Sequence, residues 1–118
     1  MEAWWPPEVP SIARDASGSG GEEGIFPIVA TLAFLSTRVI LPQGTLLRLG
    51  RDNSNEIPVP DPHISRHHAV VKLLADGSLY VADNGSVNGL FCGDERVPFA
   101  VLRPGQEFLL GVVGFRFE

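Results

Sequence analysis

The sequence has one cysteine, Cys92, among 118 residues. A single cysteine excludes a disulfide framework within the chain and any zinc site built from several cysteines. It also favours an intracellular compartment, although it does not distinguish nucleus from cytoplasm. No residue type near Cys92 in the sequence would activate its thiol, so we interpret it as a packing residue.

Long hydrophobic runs and excess positive charge are also lacking. The longest apolar-rich run, residues 25–35, contains Pro27 and is much shorter than the roughly 20 residues that a membrane-spanning helix needs. No basic stretch followed by an apolar one indicates a secretory signal. The net charge is −5, which argues against general binding to nucleic acid or anionic lipid. We therefore expect no direct nucleic-acid partner and no membrane partner.

Glycine and proline are abundant, with 13 and 10 residues, and this composition favours short strands and turns. Short apolar runs alternate with turn signals such as Asp76-Gly77 and Asn84-Gly85, which supply the positive φ of tight hairpins. No window has the apolar spacing of an amphipathic helix. The pattern predicts an all-β sandwich or barrel. The runs are residues 25–35, 38–41, 45–49, 56–59, 68–74, 78–82, 89–92, 96–99, 106–110 and 113–117.

Residues 1–24 differ in composition from the rest of the chain. They are rich in proline, glycine and serine and contain five acidic residues and one basic residue, which predicts a flexible acidic tail. The folded domain is predicted to comprise residues 25–118. Trp4 and Trp5 have two possible interpretations. They belong to an arm that is tucked onto the domain, or they dock on a partner, which can be a second copy of the chain in a weak homodimer.

Three polar clusters lie in loops between the predicted strands. They are Gly50-Arg51, the segment of residues 61–68, and the segment of residues 83–89. A tight turn at residues 75–77 places the second and third clusters at one end of the sheet. Because the two strands of a hairpin end side by side, this arrangement brings together Ser65, Arg66, Ser86 and Asn88. It does not determine the position of Arg51. Arg51 alternatively pairs with a neighbouring carboxylate, Asp52 or Glu56.

The guanidinium groups of arginine present N–H donors in a rigid fork, and serine and asparagine add neutral donors. Together these groups form an anion site, and a phosphate dianion suits such a site best. The same residues resemble the forkhead-associated (FHA) domain. The matching motifs cover about residues 28–118 and are Gly50-Arg51, Ser65-Arg66-His67-His68, Asp83-Asn84-Gly85-Ser86-Val87-Asn88-Gly89 and Leu102-Arg103-Pro104-Gly105-Gln106. The resemblance implies a sandwich of about eleven short, mostly antiparallel strands that binds phosphothreonine peptides through loops at one end.

The resemblance also implies roles for individual residues. Arg51 and Ser65 are expected to contact the phosphate, and Arg66 to add a further contact. Asn88 is expected to hydrogen-bond the peptide main chain, and Val87 to lie against the ligand.

Further positions complete the predicted site. His63 is expected to read the side chain three residues after the phosphothreonine. Ser86 belongs to the predicted peptide-binding loop, as a stabilising hydroxyl rather than a direct contact. The positions predicted to support the loops are Gly50, His68, Asp83 and Gly89. Leu90 and Gln106 depart from the family pattern at scaffold positions.

Catalytic and metal sites are not predicted. A triad of Ser65, His67 and Asp61 has no nucleophile elbow or oxyanion motif beside it, so we expect no enzyme and no cofactor. The three histidines lie on an extended chain, where a spacing of four residues spans about 13 Å, too far for one shared ion.

The sequence therefore predicts a non-enzymatic adaptor module whose partner is a threonine-phosphorylated protein or peptide. The alternative is a scaffold or oligomerisation domain that has the same fold and binds without phosphate. FHA modules recur in DNA-damage signalling, cell-cycle control and bacterial kinase pathways, and the sequence does not select among these. We expect a monomer or a weak homodimer.

Overall fold

The computed structural model describes residues 30–118. The predicted tail, residues 1–24, lies outside the described residues. Residues 30–118 form strands and no helix, so they contain no helix able to cross a membrane. The strands are β1 (Thr31–Phe34), β2 (Thr37–Ile40), β3 (Leu46–Gly50), β4 (Ile57–Pro58), β5 (Ala69–Leu73), β6 (Leu79–Asp83), β7 (Leu90–Cys92), β8 (Glu95–Arg96), β9 (Phe99–Leu102), β10 (Glu107–Leu110) and β11 (Val113–Phe117).

These strands form two sheets. One has six strands in the order β2-β1-β11-β10-β7-β8, and the other has five in the order β4-β3-β5-β6-β9. Neighbouring strands are antiparallel except β3 and β4, which pair in parallel. The predicted fold class, an all-β sandwich of about eleven mostly antiparallel strands, is confirmed.

Phenylalanine rings pack against one another within a largely aliphatic core between the sheets. In β11, Val113, Phe115 and Phe117 are buried while the residues between them are exposed, as the period-two pattern predicts. The rings of Phe108 and Phe115 stack with centroids 5.0 Å apart, and Phe34 lies 4.9 Å from Phe115 on its other side. The packing of these rings joins β1, β10 and β11 at one inner face.

Residues 96–99 depart from the sequence prediction, which treated them as one strand. Arg96 ends β8 in the six-stranded sheet, whereas Phe99 begins β9 in the five-stranded sheet. Pro98 lies between them and has no N–H to donate to a strand ladder. Its carbonyl instead accepts the N–H of Asp83 at 2.9 Å. The chain therefore crosses between the sheets here.

The β5–β6 hairpin orients the loops of interest. Its turn has Gly77 at φ +90°, and the N–H of Leu74 donates to the Ser78 carbonyl at 2.8 Å. At the other end of the hairpin the N–H of Asn84 donates to the His68 carbonyl at 2.9 Å. The predicted placement of the loops around His68 and Asn84 at one end of the sheet is confirmed.

Candidate functional site

Three loops meet at this end of the sandwich, and we call them the loop cluster: residues 51–56 after β3, 59–68 before β5 and 84–89 after β6. Because β3 is antiparallel to β5, with Leu49 opposite Ala69, the segment after β3 lies beside the segment before β5. The N–H of Arg51 donates to the Ser65 carbonyl at 3.0 Å. The pairing of β3 with β5, two strands distant in sequence, thus places Arg51 beside the loop of Ser65. The β5–β6 hairpin alone does not determine this position.

Arg51 is exposed, and its guanidinium is anchored by one hydrogen bond, from Nε to the Ile64 carbonyl at 3.0 Å. Glu56, one predicted partner, is bound by Arg48 instead, with donor distances of 2.8 and 2.6 Å. These bonds lower the pKa of Glu56 to about 2. Asp52, the other predicted partner, binds Ser54. Within residues 30–118, Arg51 forms no ion pair, so its terminal amino groups are available to an anion.

Ser65 joins all three loops. Its Oγ accepts the N–H of Val87 at 3.1 Å, and its own N–H donates to Nδ1 of His68 at 3.1 Å. Because Oγ already accepts a bond from Val87, its hydroxyl hydrogen is the group left to donate. Ser65 is half-buried, so part of this residue is accessible at the edge of the loop cluster.

His68 is completely buried beneath the cluster. Its Nδ1 accepts from Ser65, so the neutral ring carries its hydrogen on Nε2, which donates to the Gly89 carbonyl at 2.9 Å. Burial lowers the pKa of His68, although the bond to Gly89 opposes this shift. The neutral imidazole therefore connects the second loop to the third.

The third loop is held from inside by Ser86. This residue is buried; its hydroxyl donates to the Asp83 carboxylate and accepts the N–H of Gly89 at 2.9 Å. Gly89 has φ +91°, a conformation that glycine adopts without strain. In this geometry Asp83, Ser86 and Gly89 all support the loop, and the Ser86 hydroxyl is not directed to the surface.

The exposed rim carries the other predicted contacts. Nδ2 of the Asn88 side chain donates to the His63 backbone carbonyl at 2.7 Å. The side-chain oxygen Oδ1 of Asn88 is then left to accept a hydrogen bond from a ligand. The side chains of Val87 and Arg66 are exposed. The ring of His63 lies 3.1 Å from Asp61, and the His63 N–H lowers the pKa of that carboxyl. Asp61 thus adds negative charge beside His63.

Two supporting features were missed by the sequence reasoning. Asn55 is buried, and its Nδ2 donates to the carbonyls of Asp52 and Arg66 at 2.7 Å each. The available signal was the Asp52-to-Asn55 spacing, which is typical of a turn. Arg96 reaches across Gly89 and donates to the Ser86 carbonyl at 3.3 Å; no local sequence signal predicts this contact.

The three histidines do not converge. His63 lies against Asp61, His67 contacts Asn55 Oδ1 at 3.3 Å and His68 bonds Gly89. Among residues 30–118 no group of three metal-ligating side chains is assembled.

Comparison with known proteins assigns the family. Residues 36–111 match the model of the FHA domain. The chain belongs to the FHA domain family. Among relatives, it is 38% identical over 77 residues to the ABC transporter ATP-binding/permease protein Rv1747 of Mycobacterium tuberculosis, covering 65% of this chain and 9% of that protein. It is 32% identical over 109 residues to the glycogen accumulation regulator GarA of the same organism, covering 88% of this chain and 66% of that protein. The chain thus spans less than two thirds of each.

Solved FHA domains have the same architecture. The FHA-1 domain of Mycobacterium tuberculosis Rv1747 is 29% identical to this chain, with a TM-score of 0.68. The matched region covers 76% of this chain and 94% of the Rv1747 chain. Mycobacterium tuberculosis EmbR, solved in complex with a low affinity phosphopeptide, is 28% identical to this chain, with a TM-score of 0.66. The matched region covers 76% of this chain and 24% of the EmbR chain. The predicted family and the predicted function class, a phosphothreonine-dependent protein-interaction module, are confirmed.

Gly50 of this FHA domain has no room for a side chain. A Cβ at that position would lie 2.0 Å from the Arg66 carbonyl oxygen. We predict that Gly50→Ala lowers the free energy of unfolding by about 1–3 kcal/mol, because the first two loops must move apart. Urea unfolding followed by circular dichroism measures this change.

Gly114→Ala is the matched control, since a Cβ there meets nothing within 4 Å. Its effect is expected to stay within about 0.5 kcal/mol. Equal destabilisation by the two substitutions would contradict the close approach at Gly50.

The buried His68 predicts a pH-dependent stability. Its pKa in the folded state lies below 6.5, the ordinary value, so the unfolded chain takes up more protons as the pH falls below about 6.5. The contribution of His68 to the free energy of unfolding should therefore be fully present above that pH and decrease as the pH falls below about 6.5. His68→Gln should be less stable at neutral pH but should lose this decrease. A decrease of equal size in wild type and variant would contradict the assignment to His68.

Proposed function

We propose that Arg51 and Ser65 of this FHA domain bind the phosphate of a threonine-phosphorylated protein. The observation that carries the proposal is the state of the Arg51 guanidinium: anchored through Nε to Ile64, exposed, and not paired with Asp52 or Glu56. An anchored guanidinium offers its fork to a phosphate with little ordering cost, and the bonds it makes are charge-assisted.

The Ser65 hydroxyl supplies the neutral donor next to this fork. Val87 N–H occupies one acceptor position of Oγ and so orients the hydroxyl. Serine and arginine donors on adjacent loops then meet different oxygens of one tetrahedral dianion. Arg66, which is exposed on the same loop, adds a second positive charge.

The rim selects the peptide. Asn88, held through Nδ2 by the His63 carbonyl, accepts a main-chain N–H of an extended ligand. Val87 and His63 contact residues that follow the phosphothreonine. Since Asp61 lies against His63, an acidic ligand residue at that position is disfavoured by like-charge repulsion.

The biological role follows from this chemistry. A Ser/Thr kinase must create the ligand, so the module is an intracellular adaptor in kinase signalling and performs no catalysis of its own. Similarity to mycobacterial proteins supports a bacterial kinase pathway over DNA-damage signalling or cell-cycle control. The module acts as a monomer or a weak homodimer and requires no cofactor, nucleic acid or membrane.

The proposal is tested with one phosphothreonine peptide selected from an oriented library and its unphosphorylated twin. Arg51→Ala should weaken binding of the phosphopeptide by a factor of about ten to a hundred, the equivalent of about 1.5–3 kcal/mol for hydrogen bonds to a charged group. Arg51→Lys, which keeps the charge and loses the fork, should fall between wild type and Arg51→Ala. Isothermal titration calorimetry measures all affinities.

Arg116→Ala is the matched control, because Arg116 is an exposed strand arginine paired with Glu107 and distant in sequence from the loop cluster. Its affinity should equal that of wild type. If Arg51→Ala binds as tightly as Arg116→Ala, the phosphate assignment is rejected. Equal affinity of wild type for the twin peptides would instead favour a phosphate-independent scaffold.

A further inference from the structure

A fourth loop touches the loop cluster. It is the β10–β11 turn, residues 111–112, which joins Leu110 to its partner Val113 in the hairpin. The N–H of Gly111 donates to the Gly89 carbonyl at 3.0 Å. Glycine at φ +60° in the first position is typical of the two-residue turns whose twist matches that of the flanking strands. The two strands and the bond to Gly89 therefore fix where this turn lies.

The β10–β11 turn packs against the two loops that carry His63 and Asn88. A Cβ placed on Gly111 would lie 3.2 Å from the His63 carbonyl oxygen and 3.3 Å from Cβ of Asn88. The same His63 carbonyl accepts Nδ2 of Asn88. The turn therefore lies directly beside the side chain that is expected to bind the ligand main chain.

Exposed valines occupy the tips of two adjoining loops. Val112, the second residue of the β10–β11 turn, is 66% exposed, and Val87, which precedes Asn88, is 80% exposed. We call these two residues the valine pair. Each is one residue from the contact between Gly111 and Asn88, and consecutive Cα atoms are about 3.8 Å apart. Turns usually carry glycine, proline, asparagine, aspartate or serine instead. One exposed valine is ordinary, but here two lie next to a binding side chain.

We propose that the valine pair binds an aliphatic side chain of the phosphothreonine peptide. The β10–β11 turn is then a fourth loop of the binding site, and Val112 is a residue that determines specificity. This inference rests on the proposed function, since the ligand main chain is brought to the pair by Asn88. An extended peptide carries successive side chains on opposite sides of its backbone, so a side chain next to the bonded residue is within reach of the pair.

The chemistry of the valine pair favours valine, isoleucine or leucine in the ligand. Contact between methyl groups removes apolar surface of both partners from water. Valine side chains are stiff, so little rotamer freedom is lost when they are covered. A charged ligand residue would lose hydration without gaining a partner on the two valines. Asp61, which lies against His63, further disfavours an acidic residue.

A library of phosphothreonine peptides, randomised at one flanking position at a time, tests the proposal. Wild type should select valine, isoleucine or leucine at one position near the phosphothreonine. The peptide with the selected residue should bind about five- to tenfold more tightly than its alanine twin, the factor that corresponds to burial of about one to two methylene groups. Absence of aliphatic selection at every position would overturn the proposal.

A matched pair of substitutions assigns the preference to Val112. Val112→Thr keeps the branched shape and replaces one methyl group with a hydroxyl, and it should reduce the preference over the alanine twin to about twofold or less. Ile40→Thr is the control, since Ile40 is similarly exposed, at 70%, and lies opposite Thr31, at the end of β1 away from the β10–β11 turn. It should keep the full preference. A preference that survives Val112→Thr, or that falls equally in both variants, would overturn the proposal.

Failure of this inference is distinguishable from failure of the proposed function. Isothermal titration calorimetry with the phosphorylated and unphosphorylated forms of the selected peptide gives the phosphate dependence of each variant. Val112→Thr should keep that dependence, which also shows that the variant is folded, while it loses the aliphatic preference. Phosphate dependence together with an unchanged preference would overturn the role of the valine pair alone. Absence of phosphate dependence in wild type would reject the proposed function.

Nuclear magnetic resonance provides a readout that does not require a substitution. In wild type with labelled valine methyl groups, nuclear Overhauser effects should connect the Val112 methyl groups to the aliphatic side chain of the bound peptide. Bound peptide that shifts the Val87 N–H but shows no such effect at Val112 would overturn the proposal.

Discussion

One buried imidazole holds the binding end of this FHA domain together. His68 accepts the N–H of Ser65 with one nitrogen and donates to the Gly89 carbonyl with the other. Both bonds are satisfied only by the neutral ring in one tautomer, and burial favours that neutral form. Since Ser65 also accepts from Val87 and receives Arg51 N–H at its carbonyl, the positions of all three loops depend on this single side chain.

The polar residues of the loop cluster divide into two groups by burial. The buried ones, among them Asn55, His68 and Ser86, use their hydrogen-bonding groups on loop backbone and on neighbouring polar side chains. The exposed ones, Arg51 and Arg66, retain guanidinium donors toward the surface. A buried network that is fully satisfied keeps loops rigid without regular structure, and rigid loops bind an anion without first having to be ordered.

Local signals predicted much of this molecule. The Asp76-Gly77 turn and the period-two pattern of β11 depend on neighbouring residues only, and both are confirmed. The position of Arg51 was not predicted because it requires the pairing of β3 with β5, a contact between distant segments. Asn55 was missed because its role is set by the Arg66 carbonyl, eleven residues away. The passage of the chain from one sheet to the other after Arg96 was indicated in the sequence only by Pro98. An apolar run does not reveal which of the two sheets it joins.

The central claim, that Arg51 and Ser65 converge on one phosphate, is tested most directly by nuclear magnetic resonance on the labelled protein. A phosphothreonine peptide should shift the Arg51 Nε–H and the Val87 N–H, which is bonded to Ser65 Oγ, more than any strand amide of the sandwich. The unphosphorylated peptide should shift neither. Phosphate-dependent shifts elsewhere on the sandwich, with these two signals unmoved, would contradict the account.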